Sequence, residues 1–168
     1  MTAAEFSRPV DRRHIAAQPV TLEANEDQRE ALASRFGLVA VNRLEATITL
    51  EADGEAVNAR GRLSAAIVQS CAVSGEDLPV TIDEPLDLRF VPAREIAEEE
   101  IELEEEELDE IPFSGHVFDL GEAVAQSLAL AIDPYAVGPE AECVRKEKGL
   151  SGEGASGPFA ALAALKKK

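Results

Sequence analysis

Asn42-Arg-Leu-Glu-Ala-Thr-Ile-Thr-Leu-Glu51, then Ala52-Asp53-Gly54, then Val57-Asn-Ala-Arg-Gly-Arg-Leu-Ser-Ala-Ala-Ile67 is the stretch that decides the fold of this chain. Leu44, Ala46, Ile48 and Leu50 alternate with Glu45, Thr47, Thr49 and Glu51. A period of two puts successive side chains on opposite faces of a strand, so one face is apolar and the other wet. Asp53-Gly54 is a hairpin signal because glycine accepts the left-handed backbone a tight turn demands. The return strand repeats the pattern, with Val57, Ala59, Gly61, Leu63, Ala65 and Ile67 on one side and Asn58, Arg60, Arg62 and Ser64 on the other. Working outward, Pro19-Val20-Thr21-Leu22 reads as an earlier strand, Cys71 to Asp77 as a loop and Leu78 to Ile82 as a third strand. Pro85 is expected to interrupt, after which Leu86, Leu88 and Phe90 alternate with Asp87 and Arg89. Consecutive hairpins of this kind predict an antiparallel sheet, not βαβ units.

Two helices flank these strands. Asn25 and Gln28 have capping-box spacing, Leu32 and Phe36 share a face, and Gly37 suits the residue after the last turn; a helix over 26–36 follows. Asp119 and Glu122 suit the positive end of a second helix. Leu120, Val124, Leu128, Ala131 and Ile132 give it an apolar stripe, and Asp133-Pro134 stops it, so it should run over 119–132. The fold class is therefore α+β: an antiparallel sheet of about four to six strands packed by two helices. The single domain spans 19–135, preceded by a basic arm over 1–18.

Composition sets bounds on function. The chain has 168 residues, 33 acidic against 16 basic, for a net charge of −17. Hydrophobic residues make up 45%, enough for a core, while Trp is absent and aromatics are few. No apolar run approaches the roughly 20 residues of a membrane span, and no secretory leader is evident. A cytosolic protein with two reduced cysteines, Cys71 and Cys143, is expected. Residues 94–112 hold eleven acidic side chains against Arg94. Mutual repulsion predicts a solvated, mobile insertion there. Residues 136–157, rich in Gly, Pro, Glu and Ser, read as a linker. The segment 158–168 carries Phe159 and Leu162 on one face and ends in three lysines. A helix so short is marginal alone and must dock on its own body or on a partner.

No catalytic constellation, cofactor site or metal site is expected. His14 and His116 are the only histidines, and no nucleophile elbow, Walker loop or dinucleotide fingerprint occurs. Structural zinc asks for four Cys or His ligands, and the position paired with Cys71 is Ser74. The overall charge repels a phosphate backbone. Arg8, Arg12, Arg13, His14 and Lys166–Lys168 remain as local cationic contact points, with Arg60, Arg62 and Arg89 joining them if they share a sheet face.

Several segments occur together in a telling order. They are Val68-Gln-Ser-Cys-Ala-Val-Ser-Gly-Glu-Asp-Leu-Pro79, the acidic run, Asp119 to Pro134, Cys143, and Gly157-Pro-Phe-Ala-Ala-Leu-Ala-Ala-Leu-Lys166. As an ordered set this resembles the YceD family, the bacterial and plastid proteins linked to accumulation of large-subunit ribosomal RNA. Glu5-Phe-Ser-Arg-Pro9 is similar to the opening of alphaproteobacterial members. Many relatives carry a C-x-x-C pair where this chain has Cys71 and Ser74, so any metal role of the family is in question here. The resemblance implies a non-enzymatic factor assisting synthesis, processing or stability of large-subunit (23S) ribosomal RNA. The charge of the acidic segment, not the resemblance, points to the expected partner, a basic ribosomal or assembly protein on a pre-ribosomal particle. The expected contact residues are Phe159, Leu162, Glu99, Glu100, Glu102, Glu104, Glu105, Glu106, Glu107, Arg8, Arg12 and Arg13. Two other readings stay open: a metal-dependent hydrolase or nuclease using the carboxylates, and an acidic mimic of nucleic acid that blocks a basic site.

Overall fold

A computed structural model of the chain describes residues 5–93 and 110–149. Strands β2 (Val20–Glu23), β3 (Ala40–Asp53), β4 (Ala56–Ser70), β5 (Asp77–Pro92) and β6 (Glu110–Phe113) form one sheet in that order. The hairpin expected at Asp53-Gly54 joins β3 to β4 with Asp53 opposite Ala56, and Gly54 has φ 62°. Leu44, Ala46, Ile48 and Leu50 are all buried, as are Ala59, Leu63, Ala65 and Ile67 across from them. Gly61 sits on the same inward side, where a Cβ would run into the carbonyl of Thr47 on β3. The neighbouring backbones approach so closely that only hydrogen fits.

Helices α1 (Glu26–Phe36) and α2 (Leu120–Ala131) cover that inward face. The capping box of Asn25 and Gln28 is formed in both directions, at 2.9 and 3.1 Å. Gly37 closes α1 in the left-handed conformation, φ 65°. From α2, Leu120, Val124 and Leu128 are fully buried, each such side chain contributing roughly 1.5–3 kcal/mol of burial. Phe90 of β5 stacks on Phe118 at 4.3 Å between ring centres, and Phe113 lies 5.8 Å from Phe118. The fold is thus α+β with helices on one side of the sheet.

Four features depart from the sequence expectations. First, β5 is continuous through Pro85. Among the described residues β6 covers only Arg89–Pro92 of β5, so Pro85 stands on an edge, where its missing N–H costs no ladder bond. Second, β6 runs parallel to β5, which no hairpin can achieve; the chain returns by way of residues 94–109. Glu110, Ile111 and Pro112, expected within the acidic insertion, belong to this strand. Third, the stretch expected as a basic arm contains β1 (Pro9–Asp11), paired antiparallel with β7 (Val117–Asp119), and a fully buried Phe6. Fourth, the expected linker contains α3 (Ala141–Glu147). The rest of the acidic insertion and the segment 158–168 lie outside the described residues.

Candidate functional site

The N-terminal arginines are engaged with the body of the domain. Arg8 donates to the carbonyls of Ser7 and Glu23 at 2.8 and 3.2 Å and to Gln28 Oε1 at 3.3 Å, with its guanidinium 4.9 Å from the Phe6 ring centre. Arg12 donates to the Glu55 carbonyl at 3.1 Å, reaching the turn between β3 and β4. Arg13 forks onto Asp11 at 3.0 and 2.6 Å, and this pairing holds the Asp11 carboxyl well below the usual range. Arg8 and Arg12 thus tie β1 to α1 and to the β3–β4 turn, while the Arg13 pair stays local to that segment.

The arginines of the sheet do share a face. Arg60 and Arg62 alternate outward on β4, and Arg89 on β5 lies opposite Asn58 in the same row. Each is met by a carboxylate. Arg60 lies 3.2 Å from Asp87, and Arg62 donates to Asp83 at 2.9 Å. Arg89 donates to Asp53 at 2.9 Å and to Glu110 at 3.3 Å. The outward face is therefore a mosaic of ion pairs, not a basic strip that would attract phosphates. Exposed pairs of this kind contribute little to stability.

The turn at Cys71 gathers more polar groups than its local sequence suggests. Cys71 N donates to the Glu76 carbonyl at 2.8 Å, and Gly75 N donates back to the Cys71 carbonyl at 3.0 Å, with Gly75 at φ 78°. The Cys71 sulfur accepts the amides of Val73 and Ser74 at 3.4 Å and of Gly138 at 3.3 Å. The Ser74, Gly138 and Val73 amides favour the charged sulfur and lower the thiol from its ordinary value to about 6. Residues 133–140 strap this turn down. Gln69 Nε2 donates to the Asp133 carbonyl at 2.7 Å, Ala72 N to the Ala136 carbonyl at 2.9 Å, and Glu140 N to Glu76 Oε1 at 2.9 Å. Ser74 Oγ donates to the same Glu76 oxygen at 3.0 Å.

Ser74 therefore orders Glu76 and the turn where a second thiol was the alternative. Cys143 is exposed on α3 and lies 3.8 Å from Glu147. Among the described residues no three His, Cys, Asp or Glu side chains converge as a cation site. His14 lies 3.6 Å from Asp11, and His116 occupies the turn between β6 and β7.

Between α2 and the stretch of β5 that no described strand covers runs a shallow groove of about 320 Å³, lined by Pro85, Leu86, Leu88, Leu130 and Ala131, with Glu84 and Asp87 at its rim. Leu130 is 89% exposed, on the side of α2 turned away from its buried stripe. Tyr135, at 81% exposed, follows on the strap. The sequence pattern did not single out this groove, because Leu130 falls outside the stripe that covers the sheet. Phe159, Leu162, Glu99, Glu100, Glu102 and Glu104–Glu107, expected as partner contacts, lie outside the described residues.

A family model described as large ribosomal RNA subunit accumulation protein YceD matches residues 59–166, from β4 past α3. No curated protein and no solved structure matches the chain. No helix among the described residues is long and apolar enough to cross a membrane.

Proposed function

This chain belongs to the YceD family, described as large ribosomal RNA subunit accumulation proteins, and on that premise we propose that it is a non-enzymatic assembly factor of the cytoplasm. It supports accumulation of large-subunit ribosomal RNA by holding a basic ribosomal or assembly protein. The family match over 59–166 is the observation that carries this reading. Charge fits the partner: a net −17, with eleven carboxylates between residues 94 and 112, attracts a basic protein and speeds its encounter. The same charge disfavours direct RNA binding, and the sheet arginines are already neutralised by Asp87, Asp83, Asp53 and Glu110. Contacts come from Glu99, Glu100, Glu102 and Glu104–Glu107, and from Phe159 and Leu162.

The test is affinity capture of the tagged full chain from cells at low salt, with co-purifying protein and RNA identified. Large-subunit ribosomal proteins or precursor RNA should be recovered and then lost as salt is raised, because screening weakens exposed charge pairs. Recovery of a single non-ribosomal protein would overturn the reading.

A further inference from the structure

The groove between α2 and the β5 edge pairs apolar walls with an acidic rim. Leu86, Leu88, Leu130 and Ala131 offer a surface for apolar side chains, and Glu84 places negative charge beside it, whereas Asp87 at the same rim is paired with Arg60. Among the described residues nothing covers it, and Leu130 stands 89% exposed. A free strand edge beside an exposed leucine is a surface that proteins ordinarily cover.

The chain carries a segment with the complementary chemistry. Phe159, Leu162 and Leu165 recur every three residues, the spacing that puts side chains on one side of a helical turn. Lys166, Lys167 and Lys168 follow immediately, the densest positive charge in an acidic sequence. The family match runs through residue 166, so this segment is part of what defines the family.

The reach is sufficient. Residues 138–140 are anchored at the Cys71 turn through Gly138 and Glu140, beside Glu76 and Leu78 at the start of β5. From Leu78 to Glu84 along β5 is about 20 Å at the rise of a strand. The seven residues of α3 displace the chain by about 10 Å. Ten residues from Gly149 to Phe159 span up to about 33 Å, enough to return to the groove.

We infer that in the free protein the segment 158–168 docks in cis in this groove, with Phe159, Leu162 and Leu165 against Leu86, Leu88 and Leu130 and the lysines beside Glu84. The segment caps the open β5 edge and shelters its own apolar face. The side chains offered to a partner under the proposed function are then held in reserve until the partner displaces them. Docking itself concerns the free chain and does not rest on the ribosomal reading.

The experiment compares amide chemical shifts of the isotope-labelled full chain with those of Phe159→Asp and, separately, Leu130→Asp. Leu130 is solvent-facing, so its replacement leaves the core intact and guards against a Phe159→Asp chain that fails to fold. Phe159→Asp should shift amides of Glu84–Leu88 and Ser127–Ala131 while the β3–β4 hairpin stays unchanged. Leu130→Asp should shift amides of residues 158–166, and both effects should persist on dilution. Silent groove amides in the free chain would leave the groove to a partner protein and overturn the proposal. Perturbations that fade on dilution would assign it to a second copy and overturn it equally.

Discussion

Arg35, in the last turn of α1, grips both carboxylate oxygens of Glu122, in the first turn of α2, at 2.9 and 2.7 Å. The pair locks the two covering helices together at the ends where their dipoles favour those charges. Glu5 joins it, with Oε2 2.9 Å from Arg35 Nη1, so the N-terminal segment is fastened at the same point. Arg35 draws the Glu122 carboxyl below its ordinary value against the cost of partial burial. The group is thus deprotonated more readily when folded than when unfolded.

Replacing Glu122 with Gln should therefore lower stability at neutral pH by about 1 kcal/mol, discounted for the partial solvent exposure of both partners. The sign with pH is fixed by the lowered value. The contribution is full above the unfolded carboxyl value of 4.5 and is lost as pH falls through the lower folded value. Denaturant titrations of both proteins should diverge at pH 7 and converge near the acid limit; an equal gap at both would refute the pair's role.

Gly121→Ala is expected to destabilise, against the usual sign of that change. Inside a helix alanine is favoured over glycine by about 1 kcal/mol. Here a Cβ on Gly121 would strike the Phe6 carbonyl and press on Arg8 N at 2.9 Å. Either the N-terminal strand leaves α2, exposing Phe6, or α2 shifts off the sheet. A fall in melting temperature, with earlier proteolysis before residue 12, checks it; a rise would show that the backbones are less close than described.

These contacts show where the sequence was legible. Alternation in β3 and β4 and the caps at Asn25, Gly37 and Asp119 are local patterns, and each appears where expected. Phe6 is one aromatic residue without periodicity, and its burial depends on a residue 115 positions away, Gly121. A glycine within a strongly apolar helix was the available signal of a close backbone approach. Pro85 does not end β5, because a missing N–H is tolerated where no described strand pairs on that side. The strap at 133–140 was hidden for the same reason as Phe6, since its bonds reach Gln69, Cys71 and Glu76, more than sixty residues back.

Asp119 serves as a cap and a clasp, so its removal should cost more than a cap alone. Its Oδ1 accepts from Glu122 N at 3.0 Å and from Arg8 N at 2.8 Å, while Ser7 Oγ donates to Oδ2 at 2.6 Å. Burial resists its ionisation, yet the Arg8 amide, the Ser7 hydroxyl and the Glu122 amide outweigh it and keep the carboxyl below its ordinary value. Asp119→Ala should lower stability by about 2–3 kcal/mol, combining a lost N-cap with unpaired donors. Asp119→Asn, which keeps an acceptor for the cap, should recover part of that loss. Equal losses for both would mean that charge, not hydrogen bonding, holds the clasp.

Cys71 offers a prediction in the opposite pH range. Three backbone amides bring its thiol from 9.0 to about 6 in the folded chain. Between those values the folded protein has released a proton that the unfolded chain keeps. Stability should therefore rise as pH increases from about 6 toward 9, and fall as pH drops through 6. In a Cys143→Ser background, where Cys71 is the only thiol, thiolate absorbance should titrate near pH 6 in the folded protein. Adding Cys71→Ser removes the titrating group, so the rise in unfolding free energy between pH 6 and 9 should flatten. A slope that survives that change would place the linkage on another group and leave the sulfur as an uncharged acceptor of the Val73, Ser74 and Gly138 amides.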